Sequence, residues 1–166
     1  MTAFCLALAP PVQAQDSIET KIQNAGERFD AQILLMPESE LVEFDKPSDQ
    51  QPRITLLDQV SLEDKVALKL VFFGMATDEN GAVDVTYDLR VTRPDGSRME
   101  DGTHEDLVAY QGPIGNPNNV YNSETTLVLS FDPGDSAGDY DIRMVVRDNI
   151  SDRDVSLRKS LSLVVE

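Results

Sequence analysis

Apolar and polar residues alternate along much of this chain. The cleanest case is residues 83–92, in which every second side chain is apolar: Val83, Val85, Tyr87, Leu89 and Val91. A two-residue period places apolar side chains on one face of a β-strand and polar side chains on the other. We therefore predict a half-buried strand here, with one dry face and one face in water.

The same period recurs in short segments separated by Gly, Pro, Asn and Asp. It predicts further strands at residues 31–36, 41–44, 53–57, 65–77, 105–110, 125–131, 140–147 and 155–165. Segment 65–77 is apolar on both faces, which predicts a central strand. Lys159 interrupts the last strand, which indicates an edge or a bulge. Because no helical pattern separates the strands, we predict an all-β, antiparallel sandwich of about seven to nine strands.

Turn signals connect these segments. Asp78-Glu79-Asn80-Gly81 predicts a hairpin turn, since Asn-Gly supplies the positive φ angles of a tight connection. Pro94-Asp95-Gly96 predicts the next turn. We expect strand 125–131 to pair with strand 140–147 across the Gly- and Asp-rich turn between them.

The turn Asp135-Ser136-Ala137-Gly138-Asp139-Tyr140 resembles the tyrosine corner of immunoglobulin-like and fibronectin-type-III-like domains. One extra residue precedes the tyrosine, and the disulfide cysteines and core tryptophan of antibody domains are missing. The resemblance implies an immunoglobulin-like sandwich over residues 31–166, with the Tyr140 hydroxyl bonded back to the turn. The order of motifs in residues 60–165 is also similar to exported bacterial single-domain proteins of uncharacterised activity, which implies no particular chemistry.

The first 14 residues are uncharged and apolar and end in Val12-Gln13-Ala14, which suits cleavage by signal peptidase. We expect a secretory signal at residues 1–14, then a leader or short helix at residues 15–30. The usual basic opening of a signal is missing, so the alternatives are a start further upstream or no signal at all. Phe4 before Cys5 argues against a lipoprotein anchor. A periplasmic or extracellular location in a bacterium is predicted, and no membrane span is expected after cleavage.

Charge and cysteine content narrow the function classes. The formal net charge is −16, which opposes binding to nucleic acid or to anionic lipid. Solubility is the simpler explanation of this charge, and cation binding is the alternative. The single cysteine leaves with the signal, so neither a disulfide framework nor a cysteine zinc site is expected.

Candidate chemistry is sparse. His104 is the only histidine, no Gly-x-Ser-x-Gly turn accompanies it, and no tryptophan offers a sugar-stacking surface. A small hydrolase is therefore the least favoured class, and no cofactor is predicted. A calcium-dependent module is the stronger alternative, with turn carboxylates as ligands: Asp132, Asp135, Asp139 and Asp141. A second group, Asp148, Asp152 and Asp154, should lie at the opposite end of the sandwich. Aspartates that stabilise their own turns are the favoured explanation of both groups, because Asp bonds to its own backbone in such turns.

The favoured function is a non-catalytic, exported binding or structural interaction module, whose partner is another envelope protein or surface component. The long loop at residues 111–123 is the predicted contact region. Its candidate binding residues are Ile114, Asn116, Asn118, Asn119, Val120 and Tyr121. Addition of a partner strand along the last strand of the sheet is a second route.

Overall fold

The structure, a computed structural model, describes residues 28–47 and 50–165. This part of the chain contains nine strands and one 3-10 helix. The 3-10 helix is Glu38–Asp45. The strands are β1 (Asp30–Pro37), β2 (Gln59–Ser61), β3 (Lys65–Phe73), β4 (Ala82–Thr92), β5 (Arg98–Pro113), β6 (Tyr121–Asn122), β7 (Leu127–Ser130), β8 (Gly138–Asp148) and β9 (Arg153–Val164). The predicted signal at residues 1–14 and the leader up to residue 27 lie outside the described residues.

The strands form two sheets. In the first, β3 is central, with β1 on one side and β6 and β7 in succession on the other. The second has the order β2-β9-β8-β4-β5. All pairs are antiparallel except β2 and β9, which run parallel over three residues. The predicted all-β architecture and the central position of the strand beginning at Lys65 are confirmed.

The core lies between the two sheets. Every apolar residue of the alternating series in β4 is at most 2% exposed, so the predicted dry face is confirmed. Tyr87 is among the largest buried side chains, and burial raises its pKa to about 12. Phe131 and Tyr140 pack edge to face with ring centroids 4.9 Å apart. Removal of this apolar surface from water is the main stabilising contribution to the sandwich.

A second, small apolar cluster covers the outer face of the first sheet. Leu34, Met36 and Ala67 are buried there beneath Leu41 and Phe44 of the 3-10 helix. The strand predicted at residues 41–44 is therefore wrong. Residues three apart lie on the same side of a 3-10 helix, which lets Leu41 and Phe44 face the sheet together. Four residues are too few to separate that spacing from a two-residue period.

The strand predicted at residues 53–57 is also wrong. This segment bonds mostly to side chains: Glu43 accepts from the backbone N–H of Arg53, and Glu40 from that of Thr55. One backbone bond, Leu57 N–H to Leu35 O at 2.9 Å, fastens it beside β1. The regular strand forms two residues later, as β2.

Two connections that were predicted as hairpins join strands of different sheets. The Asp78–Gly81 turn is present, with the Gly81 N–H 3.1 Å from the Asp78 carbonyl oxygen. However, β3 and β4 belong to different sheets. Likewise β7 pairs with β3, and β8 pairs with β4 and β9, so the predicted pairing of 125–131 with 140–147 is wrong. The turn after Arg93 does form a hairpin, which joins β4 to β5.

The crossing from β7 to β8 contains the tyrosine corner. Tyr140 is fully buried, and its hydroxyl donates to the Ser136 carbonyl oxygen at 3.1 Å, so the implied bond is confirmed. The first sheet holds β1, β3 and β7, whereas β4, β8 and β9 form the middle of the second with β5 added beside β4. This is the strand arrangement of an immunoglobulin-like sandwich with an enlarged second sheet.

The second sheet has open edges. β5 spans 16 residues, far more than the six predicted, and shifts register against β4 three times. β2 covers only the last residues of β9, from Ser162 to Val164. The rest of β9, including Lys159, forms an edge, as its charged interruption indicated.

Candidate functional site

Three connections meet at one end of the sandwich: residues 74–81 between β3 and β4, 114–120 between β5 and β6, and 149–152 between β8 and β9. We call this surface the loop end. Backbone hydrogen bonds hold the connections to one another and to the strands. Gly74 N–H donates to the Pro117 carbonyl at 2.9 Å, and Ile114 N–H donates to the Gly81 carbonyl at 3.1 Å. The loop end therefore has a defined conformation.

A buried carboxylate reinforces the loop end from below. Asp148 is 0% exposed. Its Oδ2 accepts from Ala76 N–H at 2.9 Å, from the Ser151 hydroxyl at 2.6 Å and from Arg153 Nη2 at 3.2 Å. Its Oδ1 accepts from Ile150 N–H at 3.3 Å. One side chain thus connects the β3–β4 connection to the β8–β9 turn, and its charge is matched by the guanidinium.

Gly74 allows the chain to pass close to the segment that enters β1. Its φ is +71°, and a Cβ there would lie 2.4 Å from the Arg28 carbonyl oxygen. Both the left-handed backbone and the lack of space require glycine. Arg153 Nη2 also donates to the Gly74 carbonyl at 3.3 Å, which ties this approach to the Asp148 network.

The predicted loop residues hold the loop itself in place. The Asn116 side-chain oxygen accepts from Asn118 N–H at 3.0 Å, and the Asn116 carbonyl accepts from Asn119 N–H at 3.0 Å. The Tyr121 hydroxyl donates to the same carbonyl at 3.0 Å, and the Tyr121 ring lies 5.9 Å from that of Tyr110. Such bonds are typical of Asx turns and restrict the loop to one shape.

The three predicted apolar anchors differ in their exposure. Ile114 and Tyr121 are half-buried and pack against the core, so only part of each side chain is open to a partner. Val120 is 44% exposed, and Ile150 in the β8–β9 turn is 41% exposed. Sequence reasoning missed Ile150, although an apolar residue inside the turn Asp148-Asn149-Ile150-Ser151-Asp152 was a usable signal.

The aspartates proposed as calcium ligands do not converge. Asp135 accepts from the Asp132 N–H, Asp139 bonds to the Ser162 hydroxyl, and Asp141 pairs with arginines on its own sheet. Within residues 28–47 and 50–165, no group of three or more His, Cys, Asp or Glu side chains is placed to hold a metal ion. These aspartates act in turns and ion pairs, and the geometry does not favour the calcium alternative.

His104 lies on β5 opposite Leu89, half-exposed. Its Nε2 is 3.0 Å from the Asp101 carbonyl oxygen. In the described part of the chain, no hydroxyl or carboxylate side chain lies within hydrogen-bond distance of its ring. The same part also contains no helix long and apolar enough to cross a membrane.

No protein-family model matches the sequence, and no curated protein matches it significantly. Similar solved structures include a family 123 glycoside hydrolase from Clostridium perfringens (TM-score 0.47, 10% identity), matched over 84% of this chain and only 28% of its own length. The CARDB domain of PF1109 from Pyrococcus furiosus, solved in complex with di-metal ions, is matched over 84% of this chain and 97% of its own (TM-score 0.43, 11% identity). An immunoglobulin-like protein from Pseudomonas aeruginosa is matched over 82% and 95% (TM-score 0.38, 20% identity). Likenesses at these identities concern the fold alone.

Proposed function

We propose that this protein is a non-catalytic, exported binding module that holds a partner protein with its loop end. The observation that carries the proposal is the convergence of three hydrogen-bonded connections at one end of the sandwich, with Val120 and Ile150 exposed on them. An apolar centre within a polar rim is the usual composition of a protein interface.

The hydrogen bonds within the loop end support binding. Loops that are already held in one conformation lose little entropy when a partner docks, so more of the contact energy appears as affinity. The hydrogen bonds of Asp148 and of the Asn116 turn hold the loops in this conformation. Variable immunoglobulin domains use the loops of one end of the sandwich in the same way, which is an analogy of fold.

The charge of the loop end indicates the kind of partner. Asp78, Glu79 and Asp152 are exposed on its connections. Backbone hydrogen bonds from Ala82 and Asn80 hold the pKa of Asp78 below its usual value, so this carboxylate stays charged. A partner with a small apolar patch and a basic rim fits this surface, and its association should slow as salt screens the charges.

Capture with matched variants tests the proposal. The immobilised chain is incubated with the native envelope fraction, in parallel with a Val120→Asp/Ile150→Asp variant and with Val128→Asp. Val128 is 42% exposed but lies on β7, away from the loop end, so it controls for the added charge. We expect the double variant to lose the partner and the control to keep it. Equal capture by all three proteins would exclude the loop end.

The location is tested separately. Mass spectrometry of the protein recovered from the native envelope fraction should give a chain that begins at Gln15, as cleavage after Ala14 requires. Recovery in the cytoplasm with residues 1–14 intact would contradict export without bearing on the loop end.

A further inference from the structure

A row of three arginines crosses the exposed face of the second sheet. Arg90 on β4 is directly opposite Arg143 on β8, and Arg143 is directly opposite Arg158 on β9. All three are exposed. Neighbouring strands lie about 4.8 Å apart, so the row is about 10 Å long. We call it the arginine row.

Like charges directly opposite one another repel across a sheet, and the fold compensates them only in part. The Asp141 carboxylate accepts from Arg143 Nε at 2.6 Å and also from Arg158 Nε. Burial pulls the pKa of Asp141 upward, but these two bonds outweigh it and leave the pKa below its usual value. Among residues 28–47 and 50–165, no carboxylate lies within 4.0 Å of the Arg90 guanidinium. Two guanidiniums thus share the Asp141 carboxylate and the third has none beside it, so the row keeps two positive charges for an anion.

The surroundings of the arginine row carry hydroxyl groups. Thr103 is opposite Arg90 on β5, and Ser160 is opposite Asp141 on β9. The apolar contribution beside the row is Val145, which is half-buried. A protein partner usually needs a larger apolar centre, whereas guanidinium and hydroxyl groups suit the carboxylates and hydroxyls of an acidic sugar.

We propose that the arginine row binds a short oligosaccharide that carries carboxylate groups. Arginine pairs with a carboxylate through two parallel N–H···O bonds, and the strand spacing is close to the length of one sugar ring in a chain. The ligand must be short, because Asp88 beside the row, Asp139 and Asp154 place negative charge beyond it. Long polyanions would meet that repulsion. This site is independent of the loop end, because its residues lie in the middle of the strands.

The test uses the full chain and a galacturonic acid trimer, measured by calorimetry and by amide shifts at low salt. The methyl-esterified trimer keeps the sugar rings but lacks the charges. Arg90→Gln and Arg143→Gln remove members of the row, and Arg53→Gln removes an exposed arginine elsewhere as the control. Removing the Arg90 charge also relieves its repulsion by Arg143, so Arg90→Gln should have a Tm no lower than that of the parent. A loss of binding by this variant could then not be attributed to unfolding.

We expect the trimer to shift the amides of β4, β8 and β9, and each row variant to bind at least about fivefold more weakly. The ester should not bind, and Arg53→Gln should bind like the parent. Equal binding of the ester, no saturable binding of the trimer, or unchanged binding by both row variants would overturn the proposal. Tighter binding of a triglutamate peptide or of inorganic phosphate would also overturn it, in favour of another anion. None of these outcomes bears on the loop end.

Discussion

Replacement of Asp148 by alanine should destabilise the protein, because this side chain holds two connections of the loop end together. The side chain is 0% exposed, and four donors converge on it: two backbone N–H groups, one hydroxyl and one guanidinium. Alanine leaves the partly buried N–H groups of Ala76 and Ile150 without this acceptor. Arg153 also loses the carboxylate that matches its charge.

The size of the effect follows from these contacts. Breaking a buried ion pair by removing one partner costs about 3–5 kcal/mol. The Arg153 side chain is 40% exposed and can be solvated again, so the lower end of that range applies, about 3 kcal/mol. For a chain of this size we expect a fall in Tm of roughly 6–12 °C.

Urea denaturation at neutral pH, followed by circular dichroism, measures the loss. The matched control is Asp152→Asn in the same turn: Asp152 is exposed, and asparagine tolerates its φ of +54°. Amide exchange adds a local measurement, because the Ala76 and Ile150 amides should exchange faster in Asp148→Ala. A loss of stability no larger than that of the control, with protected amides at both positions, would show that Asp148 does not organise these connections.

Three further predictions concern other parts of the sandwich. Tyr140→Phe removes the hydroxyl bond to Ser136 and should lower the free energy of unfolding by about 1 kcal/mol in urea; an unchanged midpoint would argue against the tyrosine corner as a stabilising contact. Gly74→Ala strains the left-handed backbone and forces its Cβ against a carbonyl, so it should cost about 3 kcal/mol or more, and a calorimetric Tm equal to the parent's would contradict the close approach. Hydrogen bonds from Arg147 hold the pKa of Asp88 below its usual value. The ionised Asp88 therefore stabilises the folded state fully above the unfolded pKa of about 3.9, and this contribution is lost as pH falls through the lower native pKa. Asp88→Asn should accordingly flatten the acid side of the stability curve in urea titrations, and an unaltered curve would refute this.

Part of each candidate site could be predicted from local sequence patterns, and the rest depended on the tertiary structure. Composition predicted a long loop at residues 111–123. The loop is shorter, residues 114–120, because β5 extends to Pro113 and β6 begins at Tyr121, and Val120 is exposed on it. Composition could not show that Tyr121 bonds to Asn116 within the loop, or that Ile150 lies at the same end of the sandwich. The Tyr121 bond depends on the conformation of the loop, which its composition does not fix. The position of Ile150 depends on which strands are neighbours, and no local pattern encodes that.

The arginine row shows the same division. Arg90, Arg143 and Arg158 occupy the polar phase of their strands, and the two-residue period alone places each on an outer face. Their alignment in one row depends on the register of three strands that are far apart in sequence. A shift of one residue in either pairing would change which side chains are opposite one another.

The sequence by itself determined the period of β4, the apolar faces of β3, the turn before β5 and the bond of Tyr140, because each depends on residues close together in the chain. Only the tertiary structure decided that β7 joins β3 rather than β8, that residues 41–44 form part of a 3-10 helix, and that β2 runs parallel to β9. Alternation tells a strand which side faces the core but not which neighbour completes its hydrogen bonds. That choice is made by the packing of the whole sandwich, in which each crossing between sheets buries both apolar faces at once.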